Sequence, residues 1–407
     1  MHNNNTIKLF KLQGKNIKID KYLVDDTKNT LSIYISKKVS SCSCPACKHE
    51  TKKIHDHRIQ KIKHNPINGY NTYIYLKKTR LYCSHCGKKF YMDYNNIVNP
   101  RFRCSNELFN NIISNLQNTS MTISEVATLN NVSTGVVSRY LLYFAYFMQW
   151  NNITTLPKHI GIDEFKGNCD KSKYLFHVYD LDTGKTVTIL KTRKYADLVT
   201  FFGSIKNRNE VEIVTMDLYD TFRNAVKAKL KNATIVADRF HYTRVVGKAM
   251  DELRLQIWRN TEKAEKKYFK DLKLTLLKDI ENVKSEKLLK HEEKLNHAFE
   301  LSGELKYGYQ LYQSFLRIKD GDNYAEKLKR FNDWISGALG STLKTFESCA
   351  NTLLRWNKEI LNSLKTSYTN SATEGKNNKI KVIKKLGYGY KKLSTLRNLI
   401  MLKDCKV

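Results

Sequence analysis

Two Cys-x-x-Cys pairs, Cys44-Pro-Ala-Cys47 and Cys83-Ser-His-Cys86, constrain this chain most, because four thiolates at that spacing enclose one tetrahedral zinc ion. Between them, Ile59 to Ile67 and Tyr70 to Tyr82 read as the arms of a β-hairpin closed by Asn68-Gly69. The pattern predicts a zinc ribbon with a long hairpin in a zinc-binding domain over residues 1–104. Cys42, His85 and Cys104 are rival ligands, and Cys42 could replace Cys44; His49, His55, His57 and His64 read as a solvated basic face. Nine cysteines, an odd number, with no signal-peptide core in MHNNNTIKLF, point to a reducing compartment, so the cytoplasm is expected.

Residues 105–150 carry a different pattern. Apolar positions recur at helical spacing in Asn106 to Gln117, then come Thr122 to Leu129, an Asn-Asn-Val turn, and Ser133 to Phe147. This predicts a helix-turn-helix domain in which Ser133 caps the last helix and Ser133, Thr134, Ser138 and Arg139 enter a DNA groove. An ordinary helical hairpin is the simpler alternative.

Charge names the partner class. The 71 Lys and Arg exceed the 39 Asp and Glu by 32, so a polyanion is expected, nucleic acid before an anionic membrane. The excess is regional: residues 1–100 carry 19 basic against 6 acidic side chains, 251–350 carry 19 against 17, and 351–407 carry 13 against 3. The longest apolar run, Tyr140 to Trp150, is too short to span a bilayer, so no membrane role is expected.

From Lys158 the pattern turns to strands. His159 to Phe165, Tyr174 to Asp180 and Thr186 to Leu190 form a meander, followed by a helix through Tyr195 to Ile205, a strand through Val211 to Asp217, a helix through Thr221 to Leu230 and a strand through Ala233 to Ala237. The order βββαβαβ is that of a ribonuclease-H-like, retroviral-integrase-like α/β core, with Asp163 and Asp217 at neighbouring strand ends, where paired carboxylates hold hard divalent cations. Residues 155–250 are its first part. An all-helical insertion fills 251–365, with Trp258, Trp334 and Trp356 read as its core, and 366–407 supply the final helix of the core and a basic C-terminus. In that last stretch Glu374 opens a helix bearing Lys379, Lys381, Lys384 and Lys385, which could grip phosphates. Ser371 and Glu374 also satisfy the S-x-x-E capping pattern.

Taken together, the paired cysteines, the helix-turn-helix, Gly161-Ile-Asp-Glu-Phe165, Val214-Thr-Met-Asp217, Ala237-Asp-Arg-Phe-His241 and Asn370-Ser-Ala-Thr-Glu-Gly-Lys-Asn-Asn-Lys-Ile-Lys381 resemble the DDE transposases of bacterial insertion sequences, of the ISL-three family. The resemblance implies that Asp163, Asp217 and Glu374 are a catalytic triad holding magnesium or manganese, with the helical insertion lying before the glutamate. It implies metal-dependent cleavage and strand transfer of double-stranded DNA at terminal inverted repeats, in a synaptic homo-oligomer, at the bacterial nucleoid. Asp238 and His241 belong to a motif of the same family and are expected behind the metal ligands, the alternative being that Asp238 only caps the helix that follows. A DNA-binding regulator derived from a transposase, without catalysis, and a metal-dependent nuclease that does not join ends are the rival readings.

Overall fold

The computed structural model describes residues 10, 12, 16–100, 102–369 and 371–405, the side chains of 285, 287 and 371–374 excepted. They gather into two compact units, Met1–Asn151 with Val382–Val407, and Asn152–Lys381.

The first unit is built on strands β1 (Ile17–Asp25), β2 (Thr30–Lys37), β3 (Cys42–Ser43), β4 (Glu50–Thr51), β5 (Ile54–Lys63), β6 (Asn71–Tyr82) and β7 (Lys89–Tyr91). The main sheet runs β1-β2-β6-β5, with β7 also paired to β6, while β3 and β4 form a separate ribbon. β2 and β6 are parallel, so the chain must cross over between them, and it does so through the first Cys pair. Alternate residues Leu31, Ile33 and Ile35 of β2 and Ile74 and Leu76 of β6 are buried on one face, as period-2 patterning requires.

The hairpin between the Cys pairs is present but displaced. Its first arm is Ile54–Lys63, not Ile59 to Ile67, although Asn68 and Gly69 do make the tight turn, both with positive φ (49° and 83°), as a type I′ turn demands. The arm ends early because His64 turns inward. Its Nδ1 lies 2.7 Å from Ser105 Oγ and its Nε2 2.8 Å from the Phe10 carbonyl, so it is a buried, doubly bonded histidine and no part of a solvated face. His49, His55 and His57 are exposed.

Ser105 also caps helix α1 (Asn106–Gln117), which is followed by α2 (Ile123–Leu129) and α3 (Thr134–Phe147). Thr122 and Glu125 close a capping box on α2, and Val126, Ala127 and Val137 are buried where α2 and α3 meet. Ser133 stands at the N-cap of α3, but its hydroxyl makes no capping bond. The helix Leu393–Asp404 joins this unit: Lys403 Nζ donates to the Met121 carbonyl at 3.1 Å and Gln117 Nε2 to the Cys405 carbonyl at 3.1 Å. The end of 366–407 therefore packs with the N-terminal helices instead of the central sheet, because its apolar face, Leu396 and Leu399 included, is buried there.

The second unit holds β8 (His159–Cys169), β9 (Ser172–Asp180), β10 (Thr186–Leu190), α4 (Tyr195–Ser204), β11 (Ile213–Met216), α5 (Asp220–Lys229) and β12 (Thr234–Ala237). Its sheet runs β10-β9-β8-β11-β12: the first three strands are antiparallel, and β11 is parallel to both β8 and β12. Ile160, Ile162, Phe176, Val214 and Met216 pack beneath Phe202 of α4 and Phe222 of α5.

Then follow α6 (Arg239–Asn260), the single-turn α7 (Lys267–Lys270) and α8 (Lys273–Leu276), α9 (Ser285–Leu301), α10 (Gly303–Leu316), α11 (Tyr324–Leu339), α12 (Lys344–Arg355), α13 (Asn357–Lys365), α14 (Ser371–Leu386) and α15 (Leu393–Asp404). One apolar cluster runs from Ala237 to Ile360, so the boundary expected at 250/251 falls within α6, which serves sheet and insertion alike. Trp334 and Trp356 are buried in it and Trp258 is half-buried. α13 lies along the edge strand β12, where Asn362 Nδ2 donates to the Ile235 carbonyl at 2.8 Å and occupies an acceptor that an open edge would present to another chain. Beyond it, Tyr368 donates to Asp182 at 2.8 Å and lies 2.9 Å from His159 Nδ1, which fixes the chain just before α14. Among the described residues no helix is long and apolar enough to cross a membrane.

Gly161 sits opposite Tyr179, whose buried ring would lie 1.8 Å from any Cβ at that position. Gly161→Ala should therefore push the ring out of its slot and lower unfolding free energy by about 1–3 kcal/mol, the usual cost of overpacking, as read by urea denaturation.

Candidate active site

The parallel ladder between β8 and β11 ends at the pair Gly161–Thr215, and each strand carries a carboxylate two residues further on, Asp163 and Asp217. Period 2 keeps both on one face. Asp163 is thus not at a strand end, because β8 runs on to Cys169 against β9; it stands at the end of the parallel pairing instead. The two carboxyl groups are close enough that each perturbs the other's titration. Burial holds the Asp163 carboxyl above its ordinary range, and the Glu164 amide, 2.6 Å from Oδ1, and the Asn377 side-chain amide on Oδ2 offset part of that. Asp217 is pushed up to about 8 by burial first and then by the charges of Asp163, Asp238 and Glu164.

Asp238 follows β12 directly. Its backbone N–H donates to the Met216 carbonyl at 2.8 Å, which levels it with Asp217, and its side chain caps α6 by accepting from the Phe240 N–H at 3.3 Å. One turn into α6, His241 Nε2 lies 3.1 Å from Asp217 Oδ1 and 3.7 Å from Asp238 Oδ2. Asp217, Asp238 and His241 each offer a ligand atom, all within 4.8 Å of one another. Asp217 Oδ1 is buried and receives no aligned hydrogen bond, and neither does Asn377 Oδ1. Oxygen acceptors left in this state beside crowded carboxylates suit a hard divalent cation.

A cavity of about 480 Å³ opens over Asp217 and His241 and carries cations on its wall: Arg193, Arg244 and Lys248. Arg193 is ion-paired with Glu164 and lies over the rings of Tyr174 and Tyr219, at 4.4 and 5.4 Å. Sequence reasoning missed Glu164, Arg193, Arg244 and Asn377. The quoted motifs contained Glu164 and Asn377 as neighbours of the acidic residues, whereas nothing local to Arg193 or Arg244 signals a cavity wall.

Glu374 belongs to α14, and its side chain lies outside the described residues, as does the Ser371 side chain of the capping pattern. Asn377, one turn further along, brings that helix to Asp163. The four lysines of α14 do not share a face. At 3.6 residues per turn Lys381 and Lys385 fall together and both are exposed, whereas Lys379 is half-buried on the opposite side and Lys384 is half-buried between them.

In the first unit, Cys44, Cys47, Cys83 and Cys86 bring their sulfurs within 4.8 Å of one another, with Cys44–Cys86 and Cys47–Cys83 both at 3.6 Å. At Cys44 burial raises the thiol pKa, but the Cys47 and Ala46 amides and the neighbouring thiols outweigh it and bring it to about 7. Cys47 is pushed up to about 12, burial and the three other thiols overcoming the His49 amide. Four sulfurs this close cannot all ionise without a cation between them. The rival ligands stand apart: Cys42 Sγ donates to the Ser40 carbonyl at 3.5 Å, His85 stacks on His49, and Cys104 is buried beside Tyr140. Ser133, Thr134 and Arg139 are exposed at the start of α3, and Ser138 is half-buried.

A family model described as transposase, of the ISL3 type, matches residues 160–400, more than half of the chain. The chain belongs to the ISL3 transposase family. A second model, described as zinc-finger of transposase IS204/IS1001/IS1096/IS1165, matches residues 40–86. Over 393 residues, 90% of each chain, this transposase is 22% identical to the transposase for insertion sequence element IS1001 of Bordetella parapertussis. A shorter match, 34% identical over 101 residues, covers 24% of the chain and 30% of a Lactococcus lactis subsp. lactis protein described as an ATP-dependent protease. The function is therefore that of an insertion-sequence transposase.

The raised Asp217 makes the metal-free transposase pH-sensitive with a defined sign. Folded, Asp217 keeps a proton that the unfolded chain releases between 3.8 and about 8, so its contribution to stability falls as pH rises across that window. The slope from this group is at most about 1.4 kcal/mol per pH unit. In chelator, the drop in urea-unfolding free energy from about pH 5 to about pH 8 should be smaller for Asp217→Asn than for the wild type.

Proposed function

We propose that this transposase binds the terminal inverted repeats of its element and cuts and joins DNA at Asp163, Asp217 and Glu374 on a ribonuclease-H-like core. The observation that carries the reading is the buried carboxylate pair at the end of the β8–β11 ladder, approached by the helix that bears Glu374. The strand order β10-β9-β8-β11-β12, a meander extended by two parallel strands, supports the fold assignment.

Magnesium or manganese bound by the three carboxylates would supply Lewis-acid activation of the attacking oxygen and stabilisation of the leaving one. The chain's own residues do the rest. Asn377 holds Asp163 in one orientation by donating to Oδ2, and the Glu164 amide holds its other oxygen. His241, which lines the cavity beside Asp217, and Asp238 next to it hold that carboxyl in place. Arg193, Arg244 and Lys248 place positive charge on the cavity wall, where a phosphodiester backbone enters. Exposed Lys381 and Lys385 extend the same attraction along α14, whereas half-buried Lys384 and Lys379, the latter on the opposite side of the helix, are less open to a phosphate.

Cys44, Cys47, Cys83 and Cys86 hold one zinc ion, which ties the β3–β4 ribbon to the end of β6. Ser133, Thr134, Ser138 and Arg139 read the groove from the N-terminal half of α3. Synapsis of two ends requires at least two copies, in the compartment that holds the bacterial nucleoid.

Two experiments test this reading. Purified protein incubated with a labelled element end, a target plasmid and magnesium should give joined product, absent in EDTA. Asp163→Asn and Glu374→Gln should each lower the cleavage rate by about a hundredfold or more while leaving end binding intact. Ends that are bound but never cut in any metal would favour a regulator, and ends cut but never joined a nuclease. Metal analysis should find one zinc per chain, and Cys47→Ser should lose both the zinc and the protection of the N-terminal unit from protease.

A further inference from the structure

The face of the N-terminal sheet opposite its core carries an ordered row of side chains that neither the zinc site nor the helix-turn-helix uses. β1, β2, β6 and β5 lie in that order, and the register puts Lys21, Tyr34, Tyr75 and Lys61 side by side across all four strands. The next outward row adds Tyr73 and Lys63 as direct partners. Tyr34 and Tyr75 stack at 4.7 Å with their planes 13° apart. Lys21 Nζ sits 4.8 Å over the Tyr34 ring, Lys61 Nζ 4.1 Å over Tyr73 and 5.7 Å over Tyr75, and Lys63 Nζ 4.6 Å over Tyr73.

Cation–π contact orders these ammonium groups, which in a free lysine would sweep a wide volume. Lys21 and Lys61 remain exposed, and Lys63 is further held by Asn71 Oδ1 at 2.9 Å. A carboxylate at the edge of this face, Asp20, accepts from Ser36 Oγ at 2.9 Å. The patch lies in the stretch 1–100, where 19 basic side chains face 6 acidic ones.

We infer that this face is a second, sequence-neutral docking surface for the phosphate backbone of duplex DNA, distinct from the groove-reading helix. The inference rests on the transposase reading for its partner, but not on the metal site. Charge complementarity selects a polyanion. Duplex is favoured over a single strand for two reasons. The tyrosine ring faces are already covered by ammonium groups or by each other, so they offer no stacking platform to unpaired bases. The backbone at Lys21 and at Lys61 lies three strand spacings apart, about 14 Å, so the row presents its ammonium groups on a broad, rigid strip of sheet that suits a stiff duplex.

The test is the salt dependence of binding to a duplex lacking the element's ends, in EDTA so that no cutting intervenes. Replacing Lys21, Lys61 and Lys63 together with Gln should flatten the plot of log affinity against log salt by about 2.7, roughly 0.9 for each phosphate no longer neutralised. The matching triple Arg variant should restore the slope. Zinc content and unfolding midpoint like those of the wild type show that the Gln variant is folded. An unchanged slope overturns the proposal, as does tighter binding of a single strand of equal length. Failure of the catalytic reading shows elsewhere, as an Asp163→Asn protein that still cleaves, and failure of the groove-reading helix shows as Thr134 and Arg139 variants that keep their preference for the element's end.

Discussion

Two carboxylates buried side by side repel each other, and nearly every feature of the central unit can be understood as holding Asp163 and Asp217 where they would not stay unaided. The ladder between β8 and β11 fixes their separation, Gly161 lets the Tyr179 ring fill the slot beneath, and Asn377 and the Glu164 amide donate to Asp163. The cost appears in the protons: both groups hold them above the ordinary carboxylate range. On the proposed reading a divalent cation would relieve that cost, so the same arrangement that burdens the fold at neutral pH would favour metal binding.

The zinc ribbon obeys the same logic with sulfur in place of oxygen. Thiols at 3.6 Å spacing hold their protons unequally, one near 7 and one near 12, until a cation takes their place. Each unit therefore has a polar centre that its apolar core alone does not account for. In the first, the His64 bridge from the Phe10 carbonyl to Ser105 carries the order of the sheet into the cap of α1.

Much of this was legible because it is local. The Cys spacing, the Asn-Gly turn and the short apolar runs of β8, β9 and β11 are each written in adjacent residues, and the structure follows them closely. What could not be read depends on distant partners. β1 and β2 look unremarkable until β2 pairs in parallel with β6 some forty residues away, and His64 looks like a surface histidine until Ser105 arrives at its ring. Arg193 and Arg244 gain a role only from the cavity they share. At Asp238, capping geometry and proximity to Asp217 coincide, so sequence alone could not separate the two uses.

The helix α13 that covers β12 comes from the far end of the insertion, and this has a consequence in time. The five strands of the central sheet are complete by Ala237, but Asn362, which occupies the Ile235 carbonyl, is added 125 residues later. At a synthesis rate of about 5–20 residues per second, the nascent sheet waits on the order of ten seconds with one edge uncovered. Throughout that interval Asn377 has not been made, so Asp163 and Asp217 are together without the helix that completes their surroundings. The insertion thus acts as a delay: the half-made chain displays the acidic pair before the helix that donates to Asp163 exists.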